Sequence, residues 1–141
     1  KDQVLLQKRS ANKKLWPNMW DITAGGHVLA GEFGFEAIIR AIKEELGATV
    51  DRNDILFLGS ASSTNIKGDI INRHFNEYYV ITKDLDEKTL ILQPEEVSDI
   101  KWVDKEEVVR RIENGYDGVT EKTGCWNYLL KYFEWKDKNK N

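Results

Sequence analysis

The stretch GGHVLAGEFGFEAIIRAIKEELG, residues 25–47, carries the clearest helix signal in this chain of 141 residues. Four apolar residues recur there at helical spacing: Ile38, Ile39, Ile42 and Leu46. Gly34 is permitted at a helix entry, and Gly47 stands where a helix end favours a residue that can adopt positive φ. We therefore predict a helix from about Phe35 to Leu46.

The same helix carries an acidic face. At about 100° per residue, Glu44 and Glu45 fall on either side of Ala41, and Arg40 lies at the edge of that face. The apolar residues lie largely on the far side. One interpretation is a solvated face that is supported by pairing of Arg40 with Glu44 one turn away. The other is a face that is presented to a ligand.

The loop before the helix favours the ligand. Gly25, Gly26 and Gly31 allow the backbone to approach a ligand or an ion closely, and Glu32 adds a carboxylate at the end of the loop. Clustered carboxylates repel one another unless a cation joins them, and their hard oxygen atoms suit Mg²⁺ or Mn²⁺. We therefore expect a divalent ion between the loop and the helix.

Outside this stretch, the residue pattern predicts a layered domain. Strands are expected at residues 3–9, within 21–25, and at 55–62, 73–82 and 98–103, with further helices at 104–115 and 123–135. Strands mixed with helices at this length predict an α+β domain, and we expect residues 1–141 to form one domain. The chain opens KDQVLL without methionine, so we expect that residue 1 is not the natural start.

The composition narrows the classes of partner. The formal net charge of −3 provides no broad positive field for nucleic acid or an anionic membrane. A single cysteine, Cys125, cannot form an internal disulfide, and no apolar run is long enough for a membrane span. We expect a cytoplasmic protein with a small-molecule partner.

The spacing of residues 26–47 resembles the Nudix box, the signature of hydrolases that cleave diphosphate linkages joined to another group. The matching positions are Gly26, Glu32, Arg40, Ile42, Glu44, Glu45 and Gly47. One position departs, because Ala41 stands where the family usually has glutamate. The resemblance implies an α/β/α sandwich with a mixed sheet and another strand before residues 4–9.

The resemblance also implies roles for the box residues. Glu44 and Glu45 would hold Mg²⁺ or Mn²⁺ with help from Glu32 and a loop carbonyl near Gly25, and Arg40 would orient the glutamates. Because the carboxylate missing at position 41 would have stood within the metal-binding face, metal binding is expected to be weaker than in relatives. Restoring it by Ala41→Glu is expected to tighten that binding.

The run RSANKKLWPNMWDITAGGH, residues 9–27, resembles the isopentenyl-diphosphate isomerase branch of the same superfamily. That likeness implies that Arg9 and Lys13 grip a diphosphate, although two bases in a loop can also serve only as solvated groups. His27 is a metal ligand in the isomerases. In this chain it has three interpretations: a metal ligand, a phosphate contact, or a hydrogen-bonding group of the loop.

Two further positions match isomerase residues. Glu77 corresponds to a catalytic carboxylate and could act here as a ligand or as the base that deprotonates water, or it is an exposed strand residue. Trp126 corresponds to a tryptophan that faces the substrate, or it is a core aromatic. The isomerases' catalytic cysteine is replaced by Gly25, which offers neither acid nor base, so isomerase activity is disfavoured.

The sequence therefore predicts metal-assisted hydrolysis of a diphosphate linkage in a small molecule, of the kind in which a nucleoside diphosphate carries another group. The alternatives are an isomerase-like enzyme, and a non-catalytic module that binds a phosphorylated ligand, which Ala41 makes credible. No run of residues identifies the group attached to the diphosphate. Related domains often form dimers, so a homodimer is one expected state.

Overall fold

The computed structural model describes residues 2–140, apart from the side chains at positions 65, 67 and 72. In chain order the elements are β1 (Gln3–Arg9), β2 (Trp20–Asp21), α1 (Gly34–Leu46), β3 (Ile55–Lys67), β4 (Ile70–Ile81), β5 (Val97–Asp104), α2 (Lys105–Glu113) and α3 (Thr123–Lys138). Single 3₁₀ turns lie at Arg52–Asp54 and Glu87–Thr89. No helix within the described range has the length and apolar character that crossing a bilayer requires.

The strands form two sheets. The first has the order β2-β1-β5 with antiparallel ladders, and Trp20 adds an isolated parallel bridge to Val119. The second is the antiparallel hairpin of β3 and β4. The predicted α+β class is confirmed, whereas the ladders of both sheets are antiparallel rather than mixed, and the parallel bridge lies outside the named strands.

Strand β1 lies between two helical layers. Leu5 and Leu6 are consecutive, so their side chains point to opposite faces of the strand, yet both are buried. Leu6 packs in one core cluster with Val108 of α2 and Trp126 of α3. On the face of Leu5, Gln7 of β1 contacts Glu45 of α1 through a hydrogen bond of 2.9 Å. Helices therefore cover both faces of this sheet.

The hairpin is longer than the sequence predicts. Expected strand ends at residues 62 and 73 are replaced by strands that continue to Lys67 and restart at Ile70. A two-residue connection closes them, and Gly68 supplies the positive φ of 61° that such a tight turn requires. Polar residues 62–65 hid the strand period, and the isoleucines of the hairpin end (Ile66, Ile70 and Ile71) are exposed, so no buried face marks the strands there.

The end of α1 is fixed by a distant segment. Gly47 adopts φ 67° and donates its N–H to the carbonyl of Lys43 at 3.0 Å. The backbone N–H groups of Ile91 and Gln93 donate to the carbonyls of Leu46 and Glu45, each at 2.9 Å. Three of the last four carbonyls of α1 are therefore paired.

We predict that Gly47→Ala destabilises the protein more than Gly115→Ala. Both glycines have positive φ, so each alanine incurs a left-handed penalty of about 1–2 kcal/mol. A methyl group at position 47 would also lie 2.9 Å from Cβ of Ile91, whereas position 115 has nothing within 4 Å. Urea unfolding should show an additional loss of about 1 kcal/mol or more for Gly47→Ala. Equal losses would mean that Ile91 moves aside freely.

Candidate functional site

Glu45 is the partly enclosed carboxylate of α1. Nε2 of Gln7 donates to Oε1 of Glu45 at 2.9 Å, and the backbone N–H of Gly25 also donates to this carboxylate. Burial raises the pKa of Glu45, and the nearby carboxylates of Glu96 and Asp21 raise it further, whereas the two hydrogen bonds oppose that shift. A bound cation would offset the cost of burying the charged carboxylate and would also reduce its repulsion by the neighbouring acids.

Arg40 joins the loop to the helix. Its Nε and Nη2 donate to the two carboxylate oxygens of Glu32 at 3.1 and 3.0 Å, and Nη2 also donates to the carbonyl of His27 at 2.7 Å. Nη1 lies 3.6 Å from Oε2 of Glu44. The hydrogen bond from Arg40 lowers the pKa of Glu32, and the N–H of Leu29 adds to that effect. Glu32 therefore fixes the loop through Arg40 in this arrangement.

The carboxylates are not gathered around one point. Within the part of the chain that the structure describes, no three His, Cys, Asp or Glu side chains are placed to hold a metal ion. The donor chemistry nevertheless fits a hard divalent cation, because Glu44 and Glu45 are adjacent carboxylates and Glu45 forms no ion pair within residues 2–140. These two residues are the ones that would hold Mg²⁺ or Mn²⁺.

Ala41 lies between Glu44 and Glu45, as the helical angles predict, on a face of α1 that is buried. It is 2% exposed, and its Cβ lies 3.4 Å from the position that a Cβ on Gly26 would occupy. The helix buries Ala37 and Ala41 as well as Ile42 and Leu46, so the loop covers the face between the two glutamates. A larger side chain at position 41 would meet that loop, and its effect on metal binding stays a prediction.

The two predicted phosphate-binding bases are each paired with an acid. Nη1 of Arg9 lies 3.2 Å from Oδ2 of Asp21, which is 3% exposed and also accepts from Lys122 at 2.7 Å. Nζ of Lys13 pairs with Oε2 of Glu96. Arg9 neutralises a buried carboxylate, whereas the Lys13–Glu96 pair remains partly exposed.

Glu77 does not join Glu44 and Glu45. It lies against Gly34 at the start of α1, where an added Cβ would collide with its carboxylate. Ten residues of helix separate Gly34 from Glu44, or about 15 Å along the axis. The hydroxyl of Tyr79 donates to Oε2 of Glu77 at 2.7 Å, and burial, together with this bond, raises the pKa of Tyr79 to about 12. The structure thus separates the predicted base from the metal-binding pair.

Two other predicted contacts have different outcomes. Trp126 is 0% exposed and donates its indole N–H to the carbonyl of Thr120 at 2.6 Å, so it belongs to the core and offers no surface to a substrate. His27 is exposed, with its ring 6.4 Å from that of His74. Its backbone carbonyl holds Arg40, and a role for its ring stays a prediction.

Three residues near Glu45 were missed by the sequence: Gln7, Asp21 and Glu96. Gln7 lies on the same face of β1 as Leu5, where an apolar residue is expected. A polar residue at such a position is a sequence signal for a buried hydrogen-bonding role. Its partner Glu45 is 38 positions away. Only the packing of α1 on the sheet brings the two together.

Comparisons with known proteins identify the family of the chain. A family model described as the NUDIX domain matches residues 1–122. The chain belongs to the Nudix family. An uncharacterized Nudix hydrolase of Listeria innocua is 41% identical over 109 residues, which cover 77% of this chain and 59% of the relative.

Other Nudix relatives confirm the two resemblances. An isopentenyl-diphosphate Delta-isomerase of Escherichia coli is 30% identical over 113 residues, covering 80% of this chain and 60% of the isomerase. The present chain thus spans about three fifths of the length of these relatives. A Deinococcus radiodurans crystal structure matches with a TM-score of 0.62 at 31% identity, covering 80% of this chain and 65% of that one. An Ap4A hydrolase of C. elegans shares the fold, with a TM-score of 0.60 at 19% identity over 96% of this chain and 87% of that one.

We predict that Asp21→Asn destabilises the protein by about 3 kcal/mol. The substitution leaves Arg9 and Lys122 without the carboxylate that neutralises them, and their partial exposure keeps the loss at the lower end for a broken buried pair. Asp99→Asn, at an exposed position of β5, is the matched control and should change stability by less than about 0.5 kcal/mol. Urea midpoints would measure both, and similar midpoints would contradict the buried role.

We predict slow alkylation of Cys125. Burial raises the pKa of its thiol to about 11, although Lys122 opposes that shift. The thiolate is the reactive form, so at pH 8 only about one thiol in a thousand is ionised in the folded protein. Labelling by iodoacetamide, followed by mass spectrometry, should accelerate about tenfold per pH unit between pH 8 and 10. Protein unfolded in urea should react quickly at pH 8, and an equally fast folded reaction would refute the shift.

Proposed function

We propose that this Nudix chain hydrolyses a diphosphate linkage in a small molecule with the help of Mg²⁺ or Mn²⁺. The observation that carries the proposal is the Glu45 carboxylate, which is held by Gln7 and the N–H of Gly25 beside Glu44 and lacks a cationic partner among residues 2–140. The hydrolase names of several relatives support the reaction class. The substrate proposed is a nucleoside diphosphate joined to another group.

The chain's own residues would divide the work. Glu44 and Glu45 supply oxygen ligands, a backbone carbonyl near Gly25 assists, and Arg40 holds Glu44 to the loop. When bound, a divalent ion supplies Lewis acidity, which neutralises charge on the diphosphate and acidifies water for attack on phosphorus. Glu32 contributes by fixing Arg40 and the loop.

Lys13 is better placed than Arg9 to take phosphate charge. The Lys13–Glu96 pair is partly exposed, so an arriving diphosphate can exchange with Glu96 for the ammonium group. Arg9 is held by Asp21 and by the carbonyl of Leu15, and its release would leave a buried carboxylate short of one partner. We therefore assign the main electrostatic contact to Lys13 and a supporting one to Arg9.

A second candidate function is binding without turnover, and buried Ala41 together with the dispersed carboxylates favours it. Isomerisation is disfavoured because Gly25 replaces the cysteine and the raised pKa of Cys125 leaves that thiol unreactive. The proposal includes no nucleic-acid or membrane partner, because the net charge is −3. A cytoplasmic location and a homodimer are also part of it.

We predict that Glu45→Gln reduces turnover by about 100-fold or more, because it removes a charged ligand at nearly constant shape. Glu134→Gln, an exposed carboxylate of α3, should leave turnover unchanged. Products from a panel of nucleoside diphosphate derivatives, separated by chromatography with Mg²⁺ or with chelator, would measure this. Turnover that persists in Glu45→Gln, or in chelator, would overturn the mechanism.

The same panel separates the hydrolase from the binder. Calorimetry with each compound and Mg²⁺ reports binding, and product analysis of the same mixture reports turnover. Binding of a compound without release of any product across the panel would favour the binding module. Conversion of isopentenyl diphosphate to its isomer would favour the isomerase.

A further inference from the structure

The side-chain amide of Gln7 contacts both the loop and the helix of the candidate site. Nε2 donates to the backbone carbonyl of Thr23 at 2.8 Å and to Oε1 of Glu45 at 2.9 Å. We infer that Gln7 is a positioning residue, whose amide holds the Glu45 carboxylate in place for a divalent cation. This inference rests on the proposed function, because it takes Glu45 as a metal ligand.

Gln7 is itself tightly held. It lies in β1, the central strand of the first sheet, and pairs with Asp21 of β2 on one side and Ile100 of β5 on the other. The side chain is 5% exposed. The amide nitrogen of Gln7 has two N–H donors, and the carbonyl of Thr23 and the carboxylate of Glu45 are both acceptors. The nitrogen, and not the oxygen, of the amide must therefore point to Glu45.

The bond matters because it fixes a carboxylate that is only partly exposed. Nε2 of Gln7 donates to Oε1 of Glu45 at 2.9 Å from the strand beneath the helix. The backbone carbonyl of Glu45 is also fixed, by the N–H of Gln93. A ligand that is ordered before the cation arrives loses less side-chain entropy on binding, and outer hydrogen bonds of this kind typically change metal affinity 10–100-fold.

Glu44 provides the contrast. Its side chain is 55% exposed, and its contact with Arg40 is a 3.6 Å ion pair rather than a short hydrogen bond. Of the two adjacent glutamates, Glu45 is therefore the ordered ligand and Glu44 the adaptable one. Glu45 is more ordered than Glu44 because it faces strand β1, where Gln7 contacts its carboxylate.

Two variants of Gln7 separate positioning from simple support. Gln7→Met keeps the length of the side chain and removes both donors. Gln7→Lys places a positive charge beside Glu45, which would hold the carboxylate as an ion pair and compete with a metal ion. The matched control is Gln3→Met on the same strand, because Gln3 is exposed and donates to Oδ1 of Asp104 at 3.0 Å without touching Glu45.

The test is calorimetric titration of metal-free protein with Mg²⁺, combined with urea unfolding without metal. Gln7→Met should raise the Kd for Mg²⁺ by about 10–100-fold, and Gln3→Met by less than about twofold. Gln7→Lys should keep the metal-free urea midpoint at or above the wild-type value while it weakens Mg²⁺ binding. If Gln7 only supported the fold, the affinity for Mg²⁺ would fall in each variant in proportion to the loss of its urea midpoint.

The outcomes are distinguishable. If wild-type protein does not bind Mg²⁺, the proposed function fails and this inference fails with it. If wild-type protein binds Mg²⁺ and Gln7→Met binds it equally well, only the role of Gln7 is overturned. If Gln7→Met does not fold, Gln7→Lys carries the test, and wild-type affinity in that variant overturns the inference.

Discussion

The buried carboxylate of Asp21 is the charge on which the first sheet and the last helix depend. It accepts hydrogen bonds from Arg9 of β1, from Lys122 just before α3 and from the hydroxyl of Thr120. Three segments of the chain, around residues 9, 21 and 120–122, therefore meet at this acid. Burying such a group is unfavourable unless its partners are all present, so these segments must come together as a unit.

This requirement also arranges the candidate site. Arg9 and Gln7 lie on one face of β1, and alternate positions of a strand share a face, so the strand that neutralises Asp21 also presents an amide to Glu45. The opposite face of β1 packs Leu6 against Trp126 in the core. Stability and the placement of the candidate ligand thus come from the same strand.

The sequence predicts the local parts of this arrangement well. The predicted start of α1 at Phe35 lies within one residue of the observed start, and the predicted end at Leu46 is confirmed, because apolar spacing and Gly47 are local signals. The pairing of Arg40 with Glu44 also follows from helical spacing. The Nudix family itself was predicted from the spacing of residues 26–47 and is confirmed by the family match.

Contacts across long stretches of sequence could not be predicted in this way. The angles of an isolated helix place Ala41 between two glutamates, but they do not show that the loop with Gly26 covers it. Likewise, Glu77 matched a catalytic position, yet the register of the hairpin carries it to the start of α1. Lys122 and Asp21 are 101 positions apart, and no periodic pattern links them.

The hydrogen bonds at the end of α1 also restrict how the length of this chain can vary. The N–H groups of Ile91 and Gln93 hold the last helical carbonyls, and the carbonyl of Glu96 accepts from Ser10 at the end of β1. Residues 91–96 therefore bridge helix and sheet at a fixed span. An inserted residue there would move Glu45 relative to Gln7, whereas extra residues near the exposed positions 86–88 would leave that span intact. Natural variation in the length of the β4–β5 connection should accordingly concentrate in its first half.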